Sequence, residues 1–279
     1  MKIPRILILV MSCNQQFFKS ATEVIVNTWV KDCIDYSNIK YYIYSGGYES
    51  PSINNYNVEC SSPDDLDNTF IKTVECFDIL DAYRYDYVVR TNTSTYINVG
   101  LLNDYLINKF NSDNKDLLCC GDLAILRNNL QLRGNSIILP KWFIPKITEF
   151  DIKSLPEDIE NTHDDVVISY IYQQEFNKKP NIKIFHDDVD YVPCLYLNDN
   201  SRVGHPLAIY DDKVNIKNIV SKFIFIAYRK NKGDRYHEFG ECYKLYNINR
   251  NITNDNKFIL KYNQMKLVWL YDVRKFIKI

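Results

Sequence analysis

The run Ile6-Leu7-Ile8-Leu9-Val10-Met11, followed by Ser12-Cys13-Asn14, decides the fold. Six apolar residues are too few to span a bilayer and short for the core of a signal peptide. An unbroken apolar run of that length, rich in β-branched side chains, predicts a strand buried on both faces of a parallel sheet. Outward from it, Phe18, Ala21, Val24 (or Ile25) and Thr28 recur at helical spacing over residues 17–30. Residues 40–44 read as a second strand, stopped by Ser45-Gly46-Gly47. Over residues 64–83, Leu66, Phe70, Val74, Phe77 and Leu80 share one helical side, and Ser62-Pro63-Asp64 is the predicted helix start. Residues 85–89 make a third strand. The alternation predicts an α/β fold of Rossmann type, with a mixed, mostly parallel sheet and helices on both faces. Ligands of such sheets bind beyond the carboxyl ends of the strands. Two segments fall there: Ser12-Cys13-Asn14 and Arg90-Thr91-Asn92-Thr93-Ser94.

The second half is more mixed. Strands are predicted at 136–139, 181–185, 191–195 and 222–228, and helices at 142–150, 164–174 and 236–246. No repeat, low-complexity tract or linker divides the chain. One domain over 1–279 is therefore expected.

Composition narrows the function. The 279 residues are 46% hydrophobic and 25% charged, as in ordinary globular proteins. A chain of this length can bury roughly 75% of its unfolded surface, so it folds without disulfides or metal. Lys+Arg 34 against Asp+Glu 35 leaves no basic excess for coating nucleic acid. Tyr 22 and Phe 14 suit stacking on flat rings and sugar faces as well as core filling. The eight cysteines form no C-x-x-C and no zinc-finger spacing, so reduced thiols and a cytoplasmic location are expected (host cytoplasm for a viral chain). No transmembrane segment is seen, so any action at membranes would be peripheral. The glycines never make G-x-G-x-x-G, G-x-x-x-x-G-K or G-x-S-x-G, which argues against dehydrogenases, P-loop ATPases, kinases and serine hydrolases.

The most informative block is Tyr87-Val88-Val89-Arg90-Thr91-Asn92-Thr93-Ser94-Thr95-Tyr96-Ile97-Asn98-Val99, with Arg133-Gly134-Asn135-Ser136 and His163-Asp164-Asp165-Val166 downstream. In order and spacing these segments resemble the GT-A-fold glycosyltransferases that include the β-1,3-galactosyltransferases and Fringe. That family's Lys-Thr-Asp-Asp-Asp-type stretch is matched by Arg90–Ser94, with Tyr96 and Asn98 following. Its Gly-x-Tyr-x-x-Ser segment resembles Gly134–Leu139, its Glu-Asp-Val motif resembles Asp164-Asp165-Val166, and its opening strand is matched with Asn27-Thr28-Trp29. The similarity covers roughly residues 4–230, and it implies a nucleotide-binding half (1–100) and an acceptor and catalytic half (101–279).

The resemblance implies a nucleotide-sugar donor, a UDP-sugar in the first instance, and a glycan or other hydroxyl acceptor. The base and ribose would lie against Ser12, Cys13, Asn14 and the turn Arg90, Thr91, Asn92, Thr93, Ser94. The acceptor would lie near Arg133, Gly134 and Asn135. Asp165 would be the general base of an inverting transfer, with Asp164 binding sugar hydroxyls or exchanging roles with it. The chain departs from the family at one point: Asn92-Thr93-Ser94 stands where Asp-x-Asp would hold Mn²⁺ or Mg²⁺, and hard cations want carboxylates. Arg229, Lys230 and Arg235 follow an apolar strand and could clamp the diphosphate instead, without metal. Three plainer readings stay open. Asp164-Asp165 could be a helix first turn, 90–98 a polar turn, and 229–235 a solvated loop. So do two rivals: a non-catalytic protein that keeps the fold to bind sugars or partners, and a metal-dependent transferase using Asp188 and Asp190.

Overall fold

β1 (Ile6–Met11) lies in the middle of the sheet, and Ile6, Leu7, Ile8, Leu9 and Val10 have no exposed surface. The computed structural model describes residues 1–120, 123–126, 129–156, 159, 162–177, 189–191, 194–197, 208–209, 224–227, 242 and 245–247. After β1 come α1 (Gln16–Val26), β2 (Ile39–Ser45), β3 (Ser52–Asn54), β4 (Asn57–Glu59), α2 (Thr69–Ile79), β5 (Tyr87–Asn92), β6 (Thr95–Ile97) and α3 (Val99–Phe110). They are followed by β7 (Leu118–Cys120), β8 (Leu123–Leu126), β9 (Asn129–Leu132), β10 (Ile137–Pro140), α4 (Ile144–Thr148) and α5 (Asp164–Asn177). The last strands are β11 (Val189–Tyr191), β12 (Cys194–Leu197), β13 (Ala208–Ile209) and β14 (Phe225–Ala227).

The main sheet has the order β11-β7-β10-β5-β1-β2-β4-β3. β1, β2, β4, β5, β7 and β11 run one way; β3 and β10 run against them. Strands from both halves of the chain therefore share one mixed, mostly parallel sheet. A smaller sheet, β13-β12-β14-β6, stands beside it, and β8-β9 is a separate hairpin.

Period-two alternation sorts the core onto two faces. Ile6, Ile8, Val10, Tyr87 and Val89 face α1 and α3. Leu7, Leu9, Val88, Ile137 and Leu139 face α2, α4 and α5. Arg90 continues the second series (Val88, Arg90), so its side chain is directed toward α2 and α5.

Several elements differ from the sequence expectation, each for a local reason. α1 stops at Val26 because the Thr28 hydroxyl donates back to the carbonyls of Val24 (2.8 Å) and Ile25 (3.2 Å), and a 3-10 segment follows over Trp29–Asp35. α2 begins at Thr69 rather than at 64, since the Asp64 carboxylate is engaged by two loops. The third strand runs on through Asn92, so Arg90, Thr91 and Asn92 are strand residues. The 191–195 strand is two strands, β11 and β12, in different sheets. The 181–185 strand lies outside the described residues. No helix among the described residues is long and apolar enough to cross a membrane, and Cys13, Cys33, Cys60, Cys76 and Cys242 are free thiols.

Candidate active site

β1 and β5 are parallel neighbours with Met11 opposite Asn92, so the two segments singled out in the sequence leave the sheet side by side. Ser12 extends the β1–β2 ladder, its N–H donating to the Tyr44 carbonyl at 2.8 Å. Two residues missed in the sequence, Asp64 and Lys72, hold the loop beyond Ser12. The Asp64 carboxylate accepts from the backbone N–H of Asn14 and, at 3.0 Å, of Gly46. It also meets the Lys72 ammonium at 2.7 Å, and Lys72 donates to the Ser12 carbonyl at 3.0 Å. Lys72 is 3% exposed. No sequence signal marked this brace: Lys72 lies off the Leu66, Phe70, Val74, Phe77 and Leu80 side, and is buried with Thr69, Thr73 and Cys76. Burial pushes the Asp64 carboxyl up, but the bonds from Cys13, Lys72, Asn14 and Gly46 outweigh it and hold it below its usual range. Burial, then Asp64, pushes the Cys13 thiol up. A Cβ on Gly46 would overlap the Ser62 carbonyl, so this tight approach requires glycine.

Arg90 and Asp164 are committed to each other. The guanidinium forks the carboxylate through Nε to Oδ2 (2.6 Å) and Nη2 to Oδ1 (2.6 Å), and both side chains are buried. Nη1 donates to the Gly134 carbonyl, and Nη2 lies 3.4 Å from the Met11 sulfur. Thr73 donates to Asp164 Oδ2 at 3.3 Å, and the Asp164 N–H donates to the Thr69 hydroxyl at 3.1 Å. Burial pulls the Arg90 pKa down, but Asp164, then Tyr44 and Asp165, drive it above the ordinary arginine value. Burial pushes the Asp164 carboxyl up against the pull of Arg90. At 4% and 2% exposed, Arg90 and Asp164 offer almost no surface to a ligand.

Asp165 is different. It is half-buried at the first turn of α5, and its Oδ2 accepts the Gly134 N–H at 3.2 Å. Asn135 is buried next to Gly134 in sequence, its carbonyl accepting from the Thr91 hydroxyl at 2.9 Å; Arg133 is half-buried. The structure thus gathers residues 12–14, 90–94, 133–135 and 164–165 at one edge of the sheet.

At the β5–β6 turn, Asn92 Oδ1 accepts from the Ser94 N–H (3.1 Å), the Ser94 hydroxyl (2.9 Å) and the Thr95 hydroxyl (3.0 Å). Thr93 and Ser94 are themselves buried. This neutral oxygen, already taking three donors, does not suit a hard divalent cation, which wants carboxylates. Among the described residues no cluster of three His, Cys, Asp or Glu could hold a metal. Asp188 lies outside the described residues, and Asp190 is in β11 with its side chain outside them. Arg229, Lys230 and Arg235 also lie outside them. The strand that leads to these cations is described: β14 runs antiparallel to β6 and ends with Ala227 opposite Thr95, beside the turn.

No protein family and no curated protein matches the chain. Among solved structures, a glycosyltransferase involved in the glycosylation of the major capsid of PBCV-1 is similar with a TM-score of 0.51 at 11% identity, over 86% of this chain and 100% of that one. A mannosyltransferase from Pyrobaculum calidifontis in complex with GDP-mannose and Mn²⁺ gives 0.35 at 12% identity, over 62% and 52%. The first likeness gives the fold its class: it is GT-A-like.

Proposed function

We propose that the chain is an inverting glycosyltransferase that moves a sugar from a nucleotide-sugar, a UDP-sugar first among them, to a glycan or other hydroxyl acceptor without a metal ion. The observation that carries this reading is the convergence of residues 12–14, 90–95, 133–135 and 165 at the carboxyl edge of a GT-A-like sheet, where α/β sheets bind ligands. The donor's nucleoside lies against Ser12–Asn14 and the β5–β6 turn. Asp165, the carboxylate there that is neither fully buried nor locked in an ion pair, takes the acceptor's proton as its oxygen attacks the anomeric carbon. It stands in the first turn of α5, at the positive end of the helix dipole. Arg90 and Asp164 act from below, as positioning residues that hold Gly134 and the start of α5 in place. The leaving diphosphate is met by Arg229, Lys230 and Arg235. What supports their part is the end of β14 beside Thr95 and the poor fit of Asn92-Thr93-Ser94 to a cation. Stabilising charge as it develops is usually the largest catalytic contribution.

A thermal-shift screen of UDP-, GDP- and other nucleotide-sugars, each with and without EDTA, tests this. The expected result is a rise in melting temperature for one donor, unchanged by EDTA, and turnover lowered about 10²–10⁴-fold in Asp165→Asn. Binding without turnover of any donor would leave the fold as a sugar- or partner-binding scaffold. Binding that requires Mn²⁺ and fails in Asp188→Ala would move the diphosphate site to Asp188 and Asp190.

A further inference from the structure

At the opposite end of β2 the sheet has an unpaired edge. β4 pairs only with Ile43, Tyr44 and Ser45, which leaves Ile39–Tyr42 without a neighbouring strand on that side among the described residues. In a parallel strand, alternate residues direct both N–H and C=O to the same side. The carbonyls of Asn38 and Tyr44 bond to β1, whereas the Ile43 N–H and the Ser45 carbonyl bond toward β4. The odd-numbered residues therefore face away from β1. Tyr41 is the odd residue before β4 begins, and its N–H and C=O have no partner among the described residues.

Tyr41 lines a cavity of about 390 Å³ between the 3-10 segment and the β3–β4 turn. Tyr36, Tyr41 and Tyr56 wall it, the Tyr41 and Tyr56 rings 6.0 Å apart and inclined at 34°. Ile34, 78% exposed, adds an apolar side, and Ser37 and Asn55 add polar groups. Among the described residues, Lys40 is the one cation lining it. Burial, followed by the charges of Asp104, Asp35 and Asp32, pushes the Tyr36 hydroxyl pKa up. One lysine and no arginine among the described residues of this lining give a phosphorylated ligand little to bind. An added peptide strand is also disfavoured, because Asn55 and Tyr56 close the cavity in line with β4. The ligand that remains is small and neutral, with an apolar face for the rings and a rim that both donates and accepts hydrogen bonds.

We propose that this cavity is a second carbohydrate site, which takes a neutral sugar ring against Tyr36 and Tyr56 and hydrogen-bonds its hydroxyls to the Tyr41 backbone. It lies about 13 Å along β2 from the carboxyl edge. The site would hold a glycan away from the chemistry, and it stands or falls independently of donor binding.

The test is a titration of the ¹⁵N-labelled full chain with glucose, galactose, mannose and N-acetylglucosamine, with uridine as a flat-ring control. At least one sugar is expected to shift the Tyr41 amide resonance while uridine does not. Tyr56→Ala should weaken that sugar's Kd at least about tenfold, the change worth about 1.4 kcal/mol. Ile34→Asp, at an exposed side chain, should weaken it without affecting folding. No shift at Tyr41 with any of the four sugars would overturn the proposal. So would an equal response to uridine, or shifts that persist in both variants.

Discussion

Arg90 and Asp164 show how much of the site rests on one buried pair. Removing either charge leaves the other buried without a counter-ion, which typically costs about 3–5 kcal/mol. Arg90→Ala and Asp164→Asn should each show that loss in urea unfolding. Gly134→Ala probes the same contact: a Cβ there would overlap the Arg90 guanidinium, and overpacking costs about 1–3 kcal/mol. Asp165→Asn should behave in the opposite way. Its melting temperature should stay at the wild-type value while the transfer rate falls about 10²–10⁴-fold, as loss of a general base does. Asp64 sets a pH dependence. Its carboxyl titrates lower in the folded protein than in the unfolded chain, so on acidification the unfolded chain takes up the proton first. The stability it contributes is complete above the ordinary carboxylate range and disappears as pH falls through the folded value. Melting curves from about pH 6 to about pH 3 should therefore fall less steeply in Asp64→Asn than in wild type.

The elements were legible where hydrophobic periodicity was strong. Ile6–Met11 is the strand its apolar run predicts, and the α5 segment begins at Asp164 as its acidic first turn predicts. Ends set by side chains far away in sequence were not legible. The start of α2 depends on Asp64 meeting Asn14 and Gly46, and no local pattern near 64 carries that. α3 was missed because Gly100 and two Asn weaken its helical pattern, although Asn98 caps it by accepting the Leu101 N–H at 3.2 Å. Asn98→Ala should cost about 1 kcal/mol, measurable by chemical unfolding. In the candidate site, the motif order singled out 90–94 and 164–165, two segments that the fold brings together. It could not show that Arg90 and Asp164 turn inward on each other, because that depends on the strand's alternation and the placement of α5 across the sheet.

For the whole molecule, stability should be graded outward from β1 and β5. Both are covered on two faces and flanked by strands on both sides, so their amides should be the last to exchange with deuterium, well after those of β3 at the sheet's margin. The order of strands has a further consequence. Arg90 and Asp164 are 74 residues apart in sequence, and β10, which begins at Ile137, enters between β5 and β7 only once that residue has been made. A growing chain on the ribosome thus presents the β5 guanidinium well before its counter-ion emerges. Nascent chains stopped near residue 150 should be protease-sensitive at this edge, and those extended beyond α5 should be resistant.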